Sequence, residues 1–502
     1  MLASTRSATL LGVDGRAVTV EVHVGNGLPG FTVVGQPDGV CREARDRVRA
    51  AVLSTECPWP PTRITVNLAP SGVPKVGAGL DLAIAVAVLA ASEQVPLPSV
   101  EGVGFVGELG LDGTVRPVPG VLPLVDALDE PVCVVPAASA DEASLVGAER
   151  IRAVRHLGEV VDALRGEGPW PPPPRPPDVE PPPPPPDLRD VRGQPLARLA
   201  LEAAAAGEHH LLLVGPPGAG KTMLASRVPG LLPPLDRASA IEVTRVHSAA
   251  GVPRPGPGLV QQPPFRAPHH GASTVALVGG GSHWMRPGEA SLAHGGVLFL
   301  DEMGEFAPSA LDTLRQPLEQ GVLRISRARA SVTLPARFLL IGASNPCPCG
   351  FADSGTCVCS VAAVGRYQRR LSGPLLDRFD LRVPVGRPDP DALFASEPGE
   401  CTTSVARRVG LARARTAERG HPVAGRMSTD QLEEFVPLAP DASSMLEGAV
   451  RSGRLTARGM QRIRAVARTL ADLGDGSTVV TSERLAMALA LRAPVMTARV
   501  AA

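Results

Sequence analysis

Lysine is nearly absent from this chain of 502 residues. Two positions, Lys75 and Lys221, stand against forty-eight arginines. The chain takes arginine wherever either cation serves, so the lysine at 221 is not a neutral choice: a planar guanidinium cannot replace a compact ammonium in a tight polar cradle. Net charge is absent as well, since 50 basic and 50 acidic side chains cancel. A global basic field is thereby excluded as a means of holding nucleic acid, and such binding must come from local patches. Long apolar runs are missing. The longest, residues 82–91, is too short to span a bilayer and reads as a core helix. No charged start followed by an apolar stretch opens the chain, so a soluble, cytoplasmic protein without a membrane partner is expected. Eight cysteines in a cytosolic chain of this length argue against a disulfide framework.

What is present begins with enough hydrophobic residues, 44%, for a sizeable core, and enough length for about three domains. A proline-rich run divides the chain. Residues 168–187 hold six consecutive prolines before Asp187 and predict a polyproline II strut of roughly 60 Å; the alternative, a disordered tether, differs only in stiffness. Before it, residues 1–165 alternate strand-like and helix-like patterns. Residues 17–24 alternate with period two, 42–53 have helical spacing, and 63–68 and 132–135 read as strands. The boundaries expected are an N-terminal module over 1–165, a linker over 166–187, an α/β nucleotide-binding core over 188–395 and a helical lid over 396–502.

Residues Gly215-Pro216-Pro217-Gly218-Ala219-Gly220-Lys221-Thr222 fit the phosphate-binding pattern G-x-x-x-x-G-K-[ST] at every fixed position. A short apolar strand precedes them and a helix start follows, which is the context the motif needs. Glycines let backbone N–H groups turn inward around phosphate oxygens, and the helix N-terminus adds its positive end. Lys221 is placed for the β- and γ-phosphates of ATP, and the Thr222 hydroxyl for Mg2+.

Three further segments complete a hydrolytic set. Residues 297–302 are four apolar residues and then two acids. At some eighty residues after a phosphate loop, Asp301 is placed to hold magnesium and Glu302 to polarise the attacking water. Residues 338–345 form another apolar run that ends in Asn345, where ring ATPases carry an amide that orients water or reads the γ-phosphate. The alternative is a turn asparagine before Pro346. Arg378, between a helix and the strand from Leu381, lies where ring ATPases place an arginine that acts on the neighbouring subunit's nucleotide. Arg458, at a helix start in the lid, is the candidate for the sensor-2 arginine of ring ATPases. A solvated surface role is the alternative for either arginine.

With these motifs, five longer segments carry a family resemblance: Gly27-Leu28-Pro29-Gly30-Phe31-Thr32-Val33-Val34-Gly35, Val66-Asn67-Leu68-Ala69-Pro70, Phe265-Arg266-Ala267-Pro268-His269-His270, Arg286-Pro287-Gly288-Glu289-Ala290-Ser291-Leu292-Ala293-His294, and Leu371-Ser372-Gly373-Pro374-Leu375-Leu376-Asp377-Arg378. The chain resembles the magnesium-chelatase-like AAA+ ATPases of the ComM/YifB type. The resemblance implies a homohexameric ring ATPase with ATP and Mg2+. For the ComM branch it implies a helicase that migrates DNA branches during recombination in natural transformation, with recombination proteins as candidate partners. It also implies an adenine pocket at Val191-Arg192-Gly193-Gln194. The fold class implied is α/β: an AAA+ P-loop core with a C-terminal helical lid, preceded by a Lon-protease-like (ribosomal S5 domain 2-like) α/β module. In that module Gly79 stands in place of the protease nucleophile and Leu122 in place of its base, so a scaffold and not a protease is expected.

Residues 322–332 read as two strands around an arginine-rich tip, and Arg324, Arg327 and Arg329 are the candidate DNA contacts. A solvated hairpin without a ligand is the alternative. His269 and His270 suggest a metal pair but lack an evident third ligand. Cys347, Cys349, Cys357 and Cys359 form C-x-C-x₇-C-x-C. Four thiolates can close a tetrahedral zinc site, although C-x-C is tighter than the usual C-x₂-C. A redox-sensitive thiol cluster and a metal-free loop remain open. Two rival functions are a metal-chelatase motor subunit and a protein-remodelling AAA+ chaperone. Against the first, chelatase motor subunits are expected to resemble only residues 188–502.

Overall fold

The computed structural model describes residues 1–173, 183–256, 258–281, 285–327, 330–352, 356–371, 373–387, 391 and 398–493. Arg329, the side chain of Arg327 and the middle of the proline run lie outside the described residues.

The N-terminal module is built on a seven-stranded mixed sheet. Its order is Gly30–Val34, Arg63–Ala69, Asp14–Gly25, Leu2–Leu11, Val103–Phe105, Val132–Pro136, Ile151–Val154. The period-two pattern works as anticipated in the strand Asp14–Gly25, where Val18, Val20 and Val22 are fully buried. The helix Asp81–Ala91 is buried along its whole length, which explains the unbroken apolar run over residues 82–91, and its buried Asp81 is paired with Arg47 at 2.6 Å. The helix Gly39–Ser54 begins at Asp38, whose Oδ1 accepts from the Cys41 amide at 2.7 Å. The strand Leu2–Leu11 gave no apolar signal because its inward positions include Thr5, Ser7 and Thr9. Their hydroxyls are paired: Thr5 donates to the Ala83 carbonyl at 3.0 Å, Ser7 donates to that of Phe105 at 2.6 Å, and Thr9 accepts from the Val76 amide at 3.1 Å.

The second module has five parallel strands in the order Phe265–Arg266, Val297–Leu300, Leu339–Ser344, Leu211–Val214, Leu381–Pro384. Helices cover the faces, so the strands are apolar runs buried on both sides. All carboxyl ends share one edge, and the phosphate loop follows the strand Leu211–Val214 at that edge. The C-terminal helices Thr402–Glu418, Thr429–Phe435, Pro440–Arg451, Ala457–Leu473 and Ser482–Ala490 continue the same core, and the first and fourth pack on the helix Pro195–Gly207. Pro440–Arg451 was not anticipated from the sequence.

The two modules touch directly, and the linker does not hold them apart as a strut. The Gly120 amide donates to the Ser248 carbonyl at 2.9 Å, and Arg245 pairs with Asp126 and Asp14. Val13 shares an apolar cluster with Val332 and Leu334 of the hairpin. Among the described residues, no helix is long and apolar enough to cross a membrane.

One buried polar cluster ties the sheet to the C-terminal helices and predicts a pH dependence. The His210 Nδ1 accepts from the Leu340 amide at 3.1 Å, so that nitrogen is unprotonated. Burial pushes the His210 ring down to about 4, against the pull of Asp380. Burial alone would raise the Asp380 carboxyl. Arg462, at 2.8 Å, with the His209 and His210 rings overrides this and holds it below the ordinary carboxylate range. Both groups bind protons more weakly folded than unfolded, so stability is full above about pH 6.5 and falls as pH drops toward 4. His210 alone accounts for about 3 kcal/mol across that window. Urea midpoints measured from pH 7 to 4 should fall, and His210→Gln, which keeps an acceptor, should flatten the upper part of the slope. A slope unchanged in that variant would remove His210 from the account.

Candidate active site

The phosphate loop turns through Gly218 and Gly220, at φ +77° and +86°, conformations glycine adopts without a Cβ clash. The turn delivers Lys221 into a buried position at the start of the helix Lys221–Ala225. Its Nζ donates to the Gly215 carbonyl at 2.7 Å, the Pro216 carbonyl at 2.9 Å and the Asn345 Oδ1 at 3.0 Å. Burial lowers the ammonium's pKa, and Asp301 and Glu302 pull it back up. The parallel register explains the meeting with Asn345: Val214 lies beside Ser344, so both loops leave the sheet together.

The acids arrive from the next strand, Val297–Leu300. Thr222 Oγ1 donates to Asp301 Oδ2 at 2.6 Å, which brings two hard oxygen ligands together beside the ammonium. That donor set fits Mg2+ and a phosphate chain. Glu302 takes φ +49°, in the left-handed region that residues bearing a Cβ adopt uncommonly. Its carboxylate lies 3.0 Å from His270 Nδ1. His270 is thus a partner of the second acid, which sequence spacing does not reveal. The single tyrosine, Tyr367, is also new to the site. It is buried, hydrogen-bonded to Ser344, and packed where a Cβ on Gly304 would stand. It braces the turn after the acids against the end of the strand Leu339–Ser344, just before Asn345.

Val191, Gly193 and Gln194 reach the same edge. Val191 is buried, and Gly193 and Gln194 take φ +65° and +57°. Gln194 Nε2 donates to the Gly386 carbonyl at 2.6 Å, one residue beyond Val385, whose amide bonds the Val214 carbonyl at 2.7 Å. The segment therefore flanks the phosphate loop.

Arg378 and Arg458 are not brought to this edge. The amides of Asp380 and Leu381 bond the His210 carbonyl at 2.9 and 3.0 Å, which fixes Arg378 at the amino end of the sheet. A four-residue strand, about 13 Å long, separates it from the phosphate loop. Arg378 is buried, ion-paired with Glu319, and its Nε has no hydrogen-bond partner among the described residues. Burial, then the nearby charges of Arg458, Arg462 and Arg315, lower its pKa. Four guanidiniums thus gather at one place, and sequence reasoning found only two of them.

The hairpin pairs Val322–Arg327 with Ala330–Pro335 in antiparallel register. Leu323, Val332 and Leu334 are buried and Arg324 is exposed. The four cysteines of the cluster have Sγ atoms all within 4.8 Å of one another. In the N-terminal module Gly79 offers no side chain and Leu122 is fully buried. The nearby Cys41 thiol is pushed up by burial and then by Asp38, which keeps it protonated.

Comparison with known proteins agrees with this architecture. Family models described as "Magnesium chelatase, subunit ChlI", "Subunit ChlI of Mg-chelatase" and "Magnesium chelatase, subunit ChlI C-terminal" match residues 187–393, 20–138 and 399–492. The chain is 42% identical to the uncharacterized protein YifB of Escherichia coli, over 98% of this chain and 97% of that protein. It is 41% identical to the competence protein ComM of Haemophilus influenzae, over 98% of each. A shorter match, 28% identical over 38% of this chain and 25% of the other, is to a probable DNA helicase MCM9 of Arabidopsis thaliana. The model over residues 20–138 also bears the chelatase subunit's name. The expectation that chelatase subunits resemble only residues 188–502 therefore fails, and the N-terminal module does not separate the two readings. Near-complete coverage at this identity decides the family: the chain belongs to the magnesium-chelatase-like AAA+ proteins of the ComM/YifB type.

Proposed function

We propose that the chain is a cytoplasmic, ATP-driven DNA motor that works as a homohexameric ring and migrates branched DNA in recombination, as part of competence for natural transformation. The observation that carries this reading is the division of the hydrolytic set. Lys221, Thr222, Asp301, Glu302 and Asn345 gather at one edge of the sheet, while Arg378 and Arg458 sit at the other. A set divided in this way becomes complete when one protomer's arginines meet the next protomer's phosphate loop, which a ring provides. Bound ATP with Mg2+ would supply the driving free energy, the metal neutralising charge on the phosphates. The phosphate-loop amides and Lys221 hold the phosphates, Thr222 and Asp301 offer the metal's protein ligands, Glu302 polarises water under the hold of His270, and Asn345 fixes Lys221. Val191, Gly193 and Gln194 flank the adenine.

The competence protein among the relatives, and the helicase name of the shorter match, support DNA as the substrate. The hairpin supplies the contact, with Arg324, Arg327 and Arg329 lining the pore as a local basic collar on a neutral chain. ATP turnover measured with and without branched or single-stranded DNA tests the reading. DNA should stimulate turnover. Replacing the three arginines by alanine should abolish that stimulation and flatten the salt dependence of DNA binding, while basal turnover persists. Turnover that ignores DNA and rises with a protein partner would instead favour a chelatase motor subunit or a protein-remodelling chaperone. The family models' name keeps the chelatase reading in view.

A further inference from the structure

The cysteine cluster has a geometry that the motor reading does not use. Cys347, Cys349 and Cys357 have Sγ separations of 3.3, 3.8 and 3.6 Å, and Cys359 completes the group within 4.8 Å. All four thiols are free. A zinc ion with Zn–S near 2.3 Å sets tetrahedral sulfurs about 3.8 Å apart. Cys347 is buried and the other three are half-buried. The first two ligands share one tight turn, closed by the Gly350 amide on the Cys347 carbonyl at 2.9 Å.

The same turn rests on the phosphate loop. Gly350 takes φ +83°, and a Cβ there would stand 2.3 Å from the Cδ of Pro217. Only glycine permits this approach. Two residues before Cys347, Asn345 holds Lys221. One residue after Gly350, the Phe351 ring lies under the Arg387 guanidinium at 5.6 Å, and Arg387 follows the Gly386 that Gln194 bonds. The turn therefore touches the phosphate loop, its lysine's partner and the neighbourhood of the adenine segment.

We propose that Cys347, Cys349, Cys357 and Cys359 bind one zinc ion, and that this metal knuckle clamps the phosphate loop in its nucleotide-binding shape. The clamp half rests on the reading of residues 215–222 as a nucleotide site; the metal half does not. Four thiols lose their protons as the ion binds, so metal uptake releases acid. Without the ion the sulfurs take back their protons, nothing joins the four residues, and the turn would lose its anchor beside Pro217.

Metal analysis of the full-length protein purified without chelator should find about one zinc per chain. Cobalt(II) exchanged into the site should give the absorption bands of a tetrahedral tetrathiolate ion. Less than half an equivalent, with no such bands, overturns the metal site. Chelation of the wild-type protein should weaken binding of a fluorescent ADP analogue at least about tenfold, the effect of losing one hydrogen bond from a charged donor, and added zinc should restore it. Circular dichroism should show the helices retained. Gly350→Ala leaves all four ligands in place and should keep the zinc yet weaken the same nucleotide. Unchanged affinity in both the stripped protein and this variant overturns the clamp and leaves a metal site alone. If zinc-loaded wild-type protein binds no nucleotide, the clamp and the motor reading fall together, and the cobalt spectrum still decides the metal.

Discussion

Lys221→Ala protein is expected to hydrolyse ATP at least about 10²–10³-fold more slowly than the parent and to bind nucleotide weakly. The loss follows from where the ammonium sits. It is buried, and its three neighbours are two loop carbonyls and the Asn345 amide oxygen, all acceptors. Those acceptors hold a cation beside the two acids, where phosphate charge would gather. Alanine removes the cation and leaves the acceptors facing one another, so the loop loses both its charge and its inner brace. The companion substitution is more telling. In a chain with forty-eight arginines, Lys221→Arg keeps the charge, yet it should lose nearly as much activity. A planar fork cannot enter a pocket closed by the Gly215 and Pro216 carbonyls. Single-turnover hydrolysis and nucleotide titration measure both effects. Near-parental turnover in Lys221→Ala would end the phosphate-loop reading, and near-parental turnover in Lys221→Arg would end the argument from lysine scarcity.

The residues that the sequence made legible share a property: each is announced by its neighbours along the chain. The phosphate loop lies between a strand and a helix, the acids close a four-residue apolar run, and Asn345 closes another. Parallel strands then bring three separate loop ends to one edge. Other features are set by register and packing across long sequence separations, and local pattern is silent about them. His270 meets Glu302, Glu319 holds Arg378, and Arg315 and Arg462 join the other two arginines only in the folded chain. The strand Leu2–Leu11 was hidden for a different reason, since buried hydroxyls bonded to carbonyls imitate a solvated segment. The proline run, whose middle lies outside the described residues, read as a strut, whereas the modules on either side of it are in contact. That contact depends on the surfaces around Val13, Gly120 and Arg245.

Arg378→Ala is expected to cost roughly 10³–10⁵ in kcat while nucleotide affinity changes far less, because an arginine that acts across an interface stabilises charge only as hydrolysis proceeds. A local structural explanation must be set aside, since Arg378 is also the buried partner of Glu319. Arg378→Lys separates the two. A lysine can keep an ion pair with Glu319 and so preserve folding, but it presents one point charge where a fork is needed, and it should stay strongly impaired. The position at the far end of the sheet makes a sharper demand. If the arginine serves the neighbour, then Lys221→Ala and Arg378→Ala subunits, each inactive alone, complement one another when mixed. The first carries a sound arginine and the second a sound phosphate loop. In an equal mixture, about a quarter of head-to-tail interfaces unite the two intact halves, so turnover should recover to about a quarter of the parental rate. An arginine that served its own nucleotide would permit no recovery, because no subunit in the mixture holds both groups. Mixed rings verified by mass, yet inactive, would show that Arg378 does not act on the neighbouring subunit's nucleotide and would end the reading of a site divided between protomers.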